Sequence, residues 1–227
     1  MKNIIFLFCY LGSIAQQSAV VNYKVLMPVN SKVKGTSNEA FFNDVKKIGD
    51  NYTYTLEFNK TQSHFFLNEI MKRDEDVKND VAASVASILI GGANYYDNEK
   101  KISINENSYG VLLEDKFDKA WEISTESKTI HNYLCYKATY TNYYAKNGST
   151  KSRIITAWFA PSLPYSFGPK GYNGLPGLIL ELNENDIVVF VDNIAFKEKP
   201  IEIKFPKGKV ITEEDYLKNT NFYRPKE

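Results

Sequence analysis

The sequence predicts a mainly β protein: an antiparallel open barrel or half-barrel-like sheet with one or two short helices packed on it. Three observations carry that expectation. From residue 95 onward, short apolar or alternating segments follow one another, each bounded by a turn signal. Sixteen Tyr and fourteen Phe occur in 227 residues, and aromatic side chains favour half-buried pleated surfaces. Helical signatures are confined to two stretches.

In chain order, "AVVNYKVLMPV" (19–29) reads as a first strand that ends near Pro28. In "NYTYTLEFNKTQSHFFL", Tyr52, Tyr54, Leu56 and Phe58 share one parity, the signature of a half-buried strand. "DEDVKNDVAASVASILIGG" then switches to helical spacing, with Val77, Val81, Val85, Ile88 and Leu89 three or four residues apart and a stop at Gly91-Gly92. Its other face carries Ala82, Ala83, Ser84 and Ala86, small enough to sit close to a sheet.

"KKISINE", "YGVLLED", "AWEIS", "KTIHNYLCYKATYTN", "SRIITAWFA", "LPGLILEL" and "DIVVFVDNIAF" follow as successive β segments. Asp97-Asn98, Asn107-Ser108, Glu126-Ser127, Asn147-Gly148 and Glu184-Asn185 read as the turns between them. Near the end, Thr212 stands three residues before Asp215 with Glu213 and Glu214 in the first turn, close to a capping box for a short C-terminal helix. No internal repeat or linker divides the chain.

The first residues, "MKNIIFLFCYLGSIAQQ", run from a charge through an apolar stretch to small residues, the order of a secretory signal over 1–15. Ser13 and Ala15 fit cleavage after Ala15, with Ala19 as second choice. The apolar run is shorter than the ~20 residues a membrane helix needs. Cys9 lies within it and lacks the small-residue context of a lipid-anchored cysteine. Residues 16–227 then form a single domain with one cysteine, Cys135, and so no internal disulfide. Lys and Arg number 28 against 27 Asp and Glu. Losing Lys2 leaves the domain formally neutral, which argues against a nucleic-acid binder.

The glycine-rich stretch "GPKGYNGLPG" raises the question of a phosphate loop. Gly168, Gly171, Gly174 and Gly177 recur every third position and lead into a strand, whereas a dinucleotide loop leads into a helix. With Pro169, Leu175 and Pro176 they read instead as a tight structural corner. His131 and Cys135 can share a strand face, yet a structural zinc site wants four ligands and the only other histidine is His64. A buried, inert Cys135 is the simpler reading. There is no G-x-S-x-G around Ser166 or elsewhere, and the spacing of Glu181 and Asp186 says nothing of acid–base work. No catalytic residues, metal ligands or cofactor are assigned.

What remains is an aromatic group beside the corner: Trp158, Phe159, Tyr165, Phe167 and Tyr172. Such residues fill cores, and they also line binding surfaces.

"TAWFAPSLPYSFGPKGYNGLPGLILEL" (156–182) resembles the GLPGLI family of exported Bacteroidetes proteins. Upstream, Trp121, Glu126, Lys128, Ile130, Tyr133, Cys135, Lys137 and Ala138 follow that family's order, and "GKVITEEDYLKN" is similar too. Ser162-Leu163-Pro164 stands where the family has Ile-Pro. The resemblance implies export and a mostly β fold, with no established activity. The "WFAP…LP" pattern is also similar to a hairpin of periplasmic lipoprotein carriers, which are open half-barrels with a greasy concave face.

The expectation for function is therefore an exported, non-enzymatic binding or carrier protein of the periplasm or outer-membrane surface. An apolar ligand such as a lipid, or an envelope protein, would bind an aromatic-lined concave face. The alternatives are an envelope hydrolase or peptide-processing enzyme, or a metal handler using His131 and Cys135.

Overall fold

A computed structural model describes residues 18–28, 33–68, 80–107, 109–115, 117–146 and 149–220. Among the described residues the protein is mainly β, with about half of them in strands and three short helices. The strands are β1 (Ser18–Leu26), β2 (Thr53–Phe58), β3 (Gln62–Leu67), β4 (Ala93–Asp97), β5 (Ile102–Glu106), β6 (Leu112–Glu114), β7 (Glu122–Ile130), β8 (Tyr133–Lys146), β9 (Ser149–Ala160), β10 (Leu178–Glu184), β11 (Ile187–Lys197) and β12 (Val210–Ile211). Helices α1 (Glu39–Asp50), α2 (Asp80–Ile90) and α3 (Glu213–Thr220) interrupt or end the run.

Among the described residues the strands form one sheet, in the order β12-β6-β5-β4-β3-β2-β1-β11-β10-β9-β8-β7. Every pairing is antiparallel except the short one between β12 and β6. Two meanders, β1–β6 and β7–β11, meet where β1 pairs with β11. Their far edges are consecutive in sequence, and this dictates the shape. Laid flat, the ten spacings between β6 and β7 would separate them by about 48 Å. Residues 115–121 link them, and a fully extended link of that length covers at most about 29 Å. The sheet must curl until its edges approach. It is an open, half-barrel-like sheet that does not close.

The period-two pattern reads through to burial. Tyr54, Leu56 and Phe58 of β2 are fully buried, as are Ala19, Val21 and Tyr23 of β1. Tyr54 stacks on Phe65 of β3 with ring centroids 4.9 Å apart. These residues join Val189 and Val191 of β11 in the larger core. A second core gathers Ala138, Tyr140, Ile155, Ala157 and Phe159 with Tyr172, Leu175, Ile179 and Leu182.

The helices depart from expectation in number and in one location. α1 was not anticipated; Phe41, Val45 and Ile48 carry its apolar stripe, with Val45 and Gly49 buried. α2 turns its small face inward: Ala82, Ala86 and Ile90 are buried, and the Tyr52 hydroxyl donates to the Ala83 carbonyl. α3 lies as expected, capped by Thr212, whose Oγ1 accepts from the Asp215 N–H at 3.1 Å.

One strand assignment needs correcting. Glu126-Ser127 is no turn: β7 runs through it with a register irregularity between Ile123 and Ser127. The chain reverses instead at His131-Asn132, between the paired Ile130 and Tyr133, so "KTIHNYLCYKATYTN" is two strands. His131 takes a left-handed φ of 50° there, which a histidine tolerates better than a β-branched residue. Asn147-Gly148, Ser108, Val77 and the expected signal over 1–15 lie outside the described residues.

Candidate functional site: a polar cleft beside a buried wedge

The glycine-rich stretch belongs to the 161–177 connection between β9 and β10, and most of it is buried. Four backbone bonds pin it: Leu163 N–H to Ala160 O, Gly174 N–H to Ser166 O, Leu178 N–H to Leu163 O and Ile179 N–H to Phe167 O, all 2.9 to 3.0 Å. Gly174 is exposed and supplies a φ of +89° at the bend. Gly177 is needed for a different reason, since a Cβ there would lie 2.3 Å from the Ala160 carbonyl oxygen. The corner expected from sequence is thus a wedge. Leu163 and Phe167 enter the larger core, Phe167 packing on Phe58 and Tyr96, while Tyr172 and Leu175 enter the second.

Between them the wedge presents Lys170, in the single 3-10 turn Pro169–Gly171, to a cleft of about 390 Å³. The opposite meander contributes Asn94, Asn105, Leu113 and Asp115; β8 to β10 contribute Tyr140, Asn142, Tyr144, Arg153 and Glu184; the end of α2 contributes Ile88 and Leu89. The two halves of the curled sheet therefore face each other across this space.

Glu184 organises one wall. Its carboxylate accepts from Lys170 Nζ and from the Tyr172 hydroxyl at 2.9 Å, and forms an ion pair with Arg153 at 3.0 Å. Burial works to raise its proton affinity, but the charges of Lys170 and Arg153 outweigh it and hold the carboxyl below the usual range. The Tyr172 hydroxyl is pushed up by burial and by the neighbouring Glu184. Lys170 has a left-handed φ of 58°, a conformation costly for a residue with a Cβ and held here by its ion pair and by the buried turn around it. Arg153 lies over the Tyr144 ring at 5.4 Å, and its buried Nε has no hydrogen-bond partner among the described residues. Across the cleft, Lys119 pairs with Asp115 at 3.1 Å, and Asn105 Nδ2 donates to Asn94 Oδ1 at 3.0 Å.

Of the five aromatics expected at a binding surface, Tyr172 alone lines this cleft. Phe159 and Phe167 are buried, and Tyr165 is half-buried between Phe58 and Phe196. Trp158 is adjacent to Phe159 on β9 and so points to the other face of the sheet, where Lys128 Nζ sits 4.5 Å from its ring. Gly168, Pro169, Leu175 and Gly177 are buried, and Pro176 is exposed.

The remaining candidates are dispersed. Cys135 is fully buried on β8, and burial pushes its thiol up to about 11. His131 sits in the turn, its Nε2 3.2 Å from the Val191 carbonyl oxygen, and His64 is stacked between Tyr95 and Phe66. Among the described residues no three His, Cys, Asp or Glu side chains cluster as metal ligands would. Glu181 pairs with Lys128 rather than with Asp186, which lies in the β10–β11 turn.

Sequence reasoning missed Glu184, Arg153, Asn94 and Asn105. Glu184 was traceable: it continues the parity of Leu180 and Leu182, so a half-buried strand would carry it inward. Arg153 likewise shares the parity of Ile155 and Ala157 on β9.

A family profile described as "Protein of unknown function (Porph_ging)" matches residues 145–181, from the end of β8 through β9 and the wedge into β10. No curated protein matches the chain. Solved structures of PNGF-II in the P21 and C2 space groups share the fold, with TM-scores of 0.50 and 0.51 and 14% sequence identity in each case. The matches cover 89% and 91% of this chain but 32% and 33% of those chains, so the chain spans about a third of their length. At that identity the likeness is one of fold. Among the described residues no helix is long and apolar enough to cross a membrane.

Proposed function

We propose that this chain is an exported, non-enzymatic binding protein of the bacterial envelope, of the GLPGLI type, whose ligand occupies the polar cleft. The observation that carries this reading is the preorganised wall at Glu184. Lys170, Tyr172 and Arg153 are fixed around one carboxylate in a concave site lined by amides and tyrosines, the arrangement expected where a few placed polar groups orient a ligand. The same arrangement makes Glu184 a poor general acid, because its charges hold it ionised and its oxygens are already engaged.

The aromatics expected to form the binding surface support it instead: Phe159 and Phe167 fix the strand and wedge from which Arg153 and Lys170 project. The ligand must therefore offer hydrogen-bonding groups, whether or not it is apolar elsewhere. Native mass spectrometry of the protein from its own host's envelope tests this. A reproducible added mass that is lost in Asn105→Ala supports the reading, and an added mass that survives places the ligand elsewhere.

Export rests on the order of residues 1–15. Ser18 and Ala19 are fully buried members of β1, and Ser18 Oγ donates to the Lys199 carbonyl at 2.7 Å, which favours cleavage after Ala15 over Ala19. A mature protein beginning at Gln16 is the expected outcome of terminal peptide mass analysis; intact Met1 in the envelope fraction would refute it.

A further inference from the structure

Only Val85 of the aliphatic stripe of α2 packs against the core among the described residues. With Ala82, Ala86 and Ile90 turned inward, Val81, Ile88 and Leu89 are 69%, 52% and 46% exposed. Their spacings of seven and eight residues keep them on one side of the helix. Ile88 and Leu89 form a rim of the polar cleft, so an aliphatic shelf runs directly onto a floor of side-chain amides.

Three properties of this cleft narrow its occupant. Its charges balance: Glu114, Asp115 and Glu184 stand against Lys119, Arg153 and Lys170, and most are paired with one another. That suits a neutral partner better than an anion or a cation. Its tyrosine rings are largely engaged. Tyr140 and Tyr172 pack against Trp121 and each other, and Arg153 covers Tyr144. Tyr143 also borders the cleft and is 63% exposed, but it alternates with Asn142 and Tyr144 on β8 and so projects to the opposite face of the sheet. The remaining free apolar surface is aliphatic, which fits a branched side chain better than the flat face of a sugar. Finally, Asn105 and Asn142 are half-buried in the floor, and a carboxamide both donates and accepts, as a peptide group requires.

Resting on the binding function proposed above, we infer that the occupant is a neutral polypeptide segment. One aliphatic side chain lies on the Ile88–Leu89 shelf, and its flanking peptide groups bond Asn105 and Asn142.

The test uses protein purified from cells expressing the full chain. A phage-displayed random dodecapeptide library is panned on it, and a glycan array is probed in parallel. Enriched peptides, made with acetylated and amidated ends, are then titrated by fluorescence anisotropy. The expected result is a shared aliphatic residue, with affinity falling tenfold or more in Ile88→Asp/Leu89→Asp and in Asn105→Ala while thermal unfolding holds. If the double variant fails to fold, Ile88→Ser reads the same shelf. Glycans that bind and respond to Asn105→Ala but not to the shelf variants would overturn the polypeptide assignment and leave the cleft reading intact. No binding sensitive to any of these changes would overturn both.

Discussion

The two walls of the cleft are built on opposite plans. On the wedge side, Lys170, Tyr172, Arg153 and Glu184 form a closed network whose backing residues fill two cores. On the helix side, Ile88 and Leu89 face outward with the core behind them already filled by Ala82, Ala86 and Ile90. A wall of the first kind holds its shape at the expense of tolerance to change. A wall of the second kind adds little to folding and is open to a partner. Changes on the wedge side should therefore cost stability, and changes on the helix side should spare it.

The largest effect is expected at Gly177. A Cβ would meet the Ala160 carbonyl oxygen, the Ala160 carbonyl carbon and the Pro161 nitrogen, all backbone atoms. Gly177→Val should lose about 3 kcal/mol or more, measured by denaturant unfolding. A loss below about 1 kcal/mol would show the wedge to be loosely seated.

Glu184→Gln comes next. The Lys170 and Glu184 side chains are only 11% and 7% exposed, so removing the carboxylate leaves a buried ammonium without its counter-charge. Since Arg153 is partly solvated, the cost should be about 2–3 kcal/mol, below the range for a fully buried pair. The pH dependence has a definite sign. Glu184's folded value is depressed, so its contribution is present above its unfolded value and lost as pH falls through the lower folded one. The acid unfolding profile of Glu184→Gln should lack that phase.

His64 lies outside both walls and sets the background for that profile. Burial lowers it from 6.5 to about 4, its ring sandwiched by Tyr95 and Phe66 and its buried Nε2 without a partner among the described residues. The unfolded chain binds this proton first, so stability should fall as pH drops from 6.5 towards 4. Allowing for the ring's partial exposure, the loss is on the order of 1 kcal/mol. His64→Gln should flatten the profile over that interval; an unchanged slope would assign it to other groups.

The smallest effect belongs to the helix wall. Ile88→Ser should shift stability by no more than about 0.5 kcal/mol, and a larger loss in thermal unfolding would mean that the shelf is part of the core.

Much of the fold was legible because half-buried strands announce themselves by parity. Tyr54, Leu56 and Phe58 alternate in sequence and are buried together. α1 was harder, because it buries little beyond Val45 and Gly49. The reversal at His131-Asn132 was hidden because the left-handed position is taken by a histidine and Asn132 has no glycine or proline beside it to mark the turn. The cleft was largely illegible for a topological reason. Asn94 and Asn105 approach Lys170 and Glu184 only because the sheet curls, and nothing local to "ANYYD" or "ISINE" encodes that approach. The wedge was visible as a glycine pattern, but its neighbours suggested a surface, whereas Phe159 and Phe167 went inside.

The central claim is that 161–177 is part of the core and forms a fixed wall. Amide hydrogen exchange on the free protein tests it most directly. The Leu178 and Ile179 amides, bonded to the wedge carbonyls of Leu163 and Phe167, should exchange only through global unfolding, as slowly as the amides of β1 and β11. Exchange orders of magnitude faster than in those strands would show that 161–177 opens on its own, and would make it a lid instead of a wall.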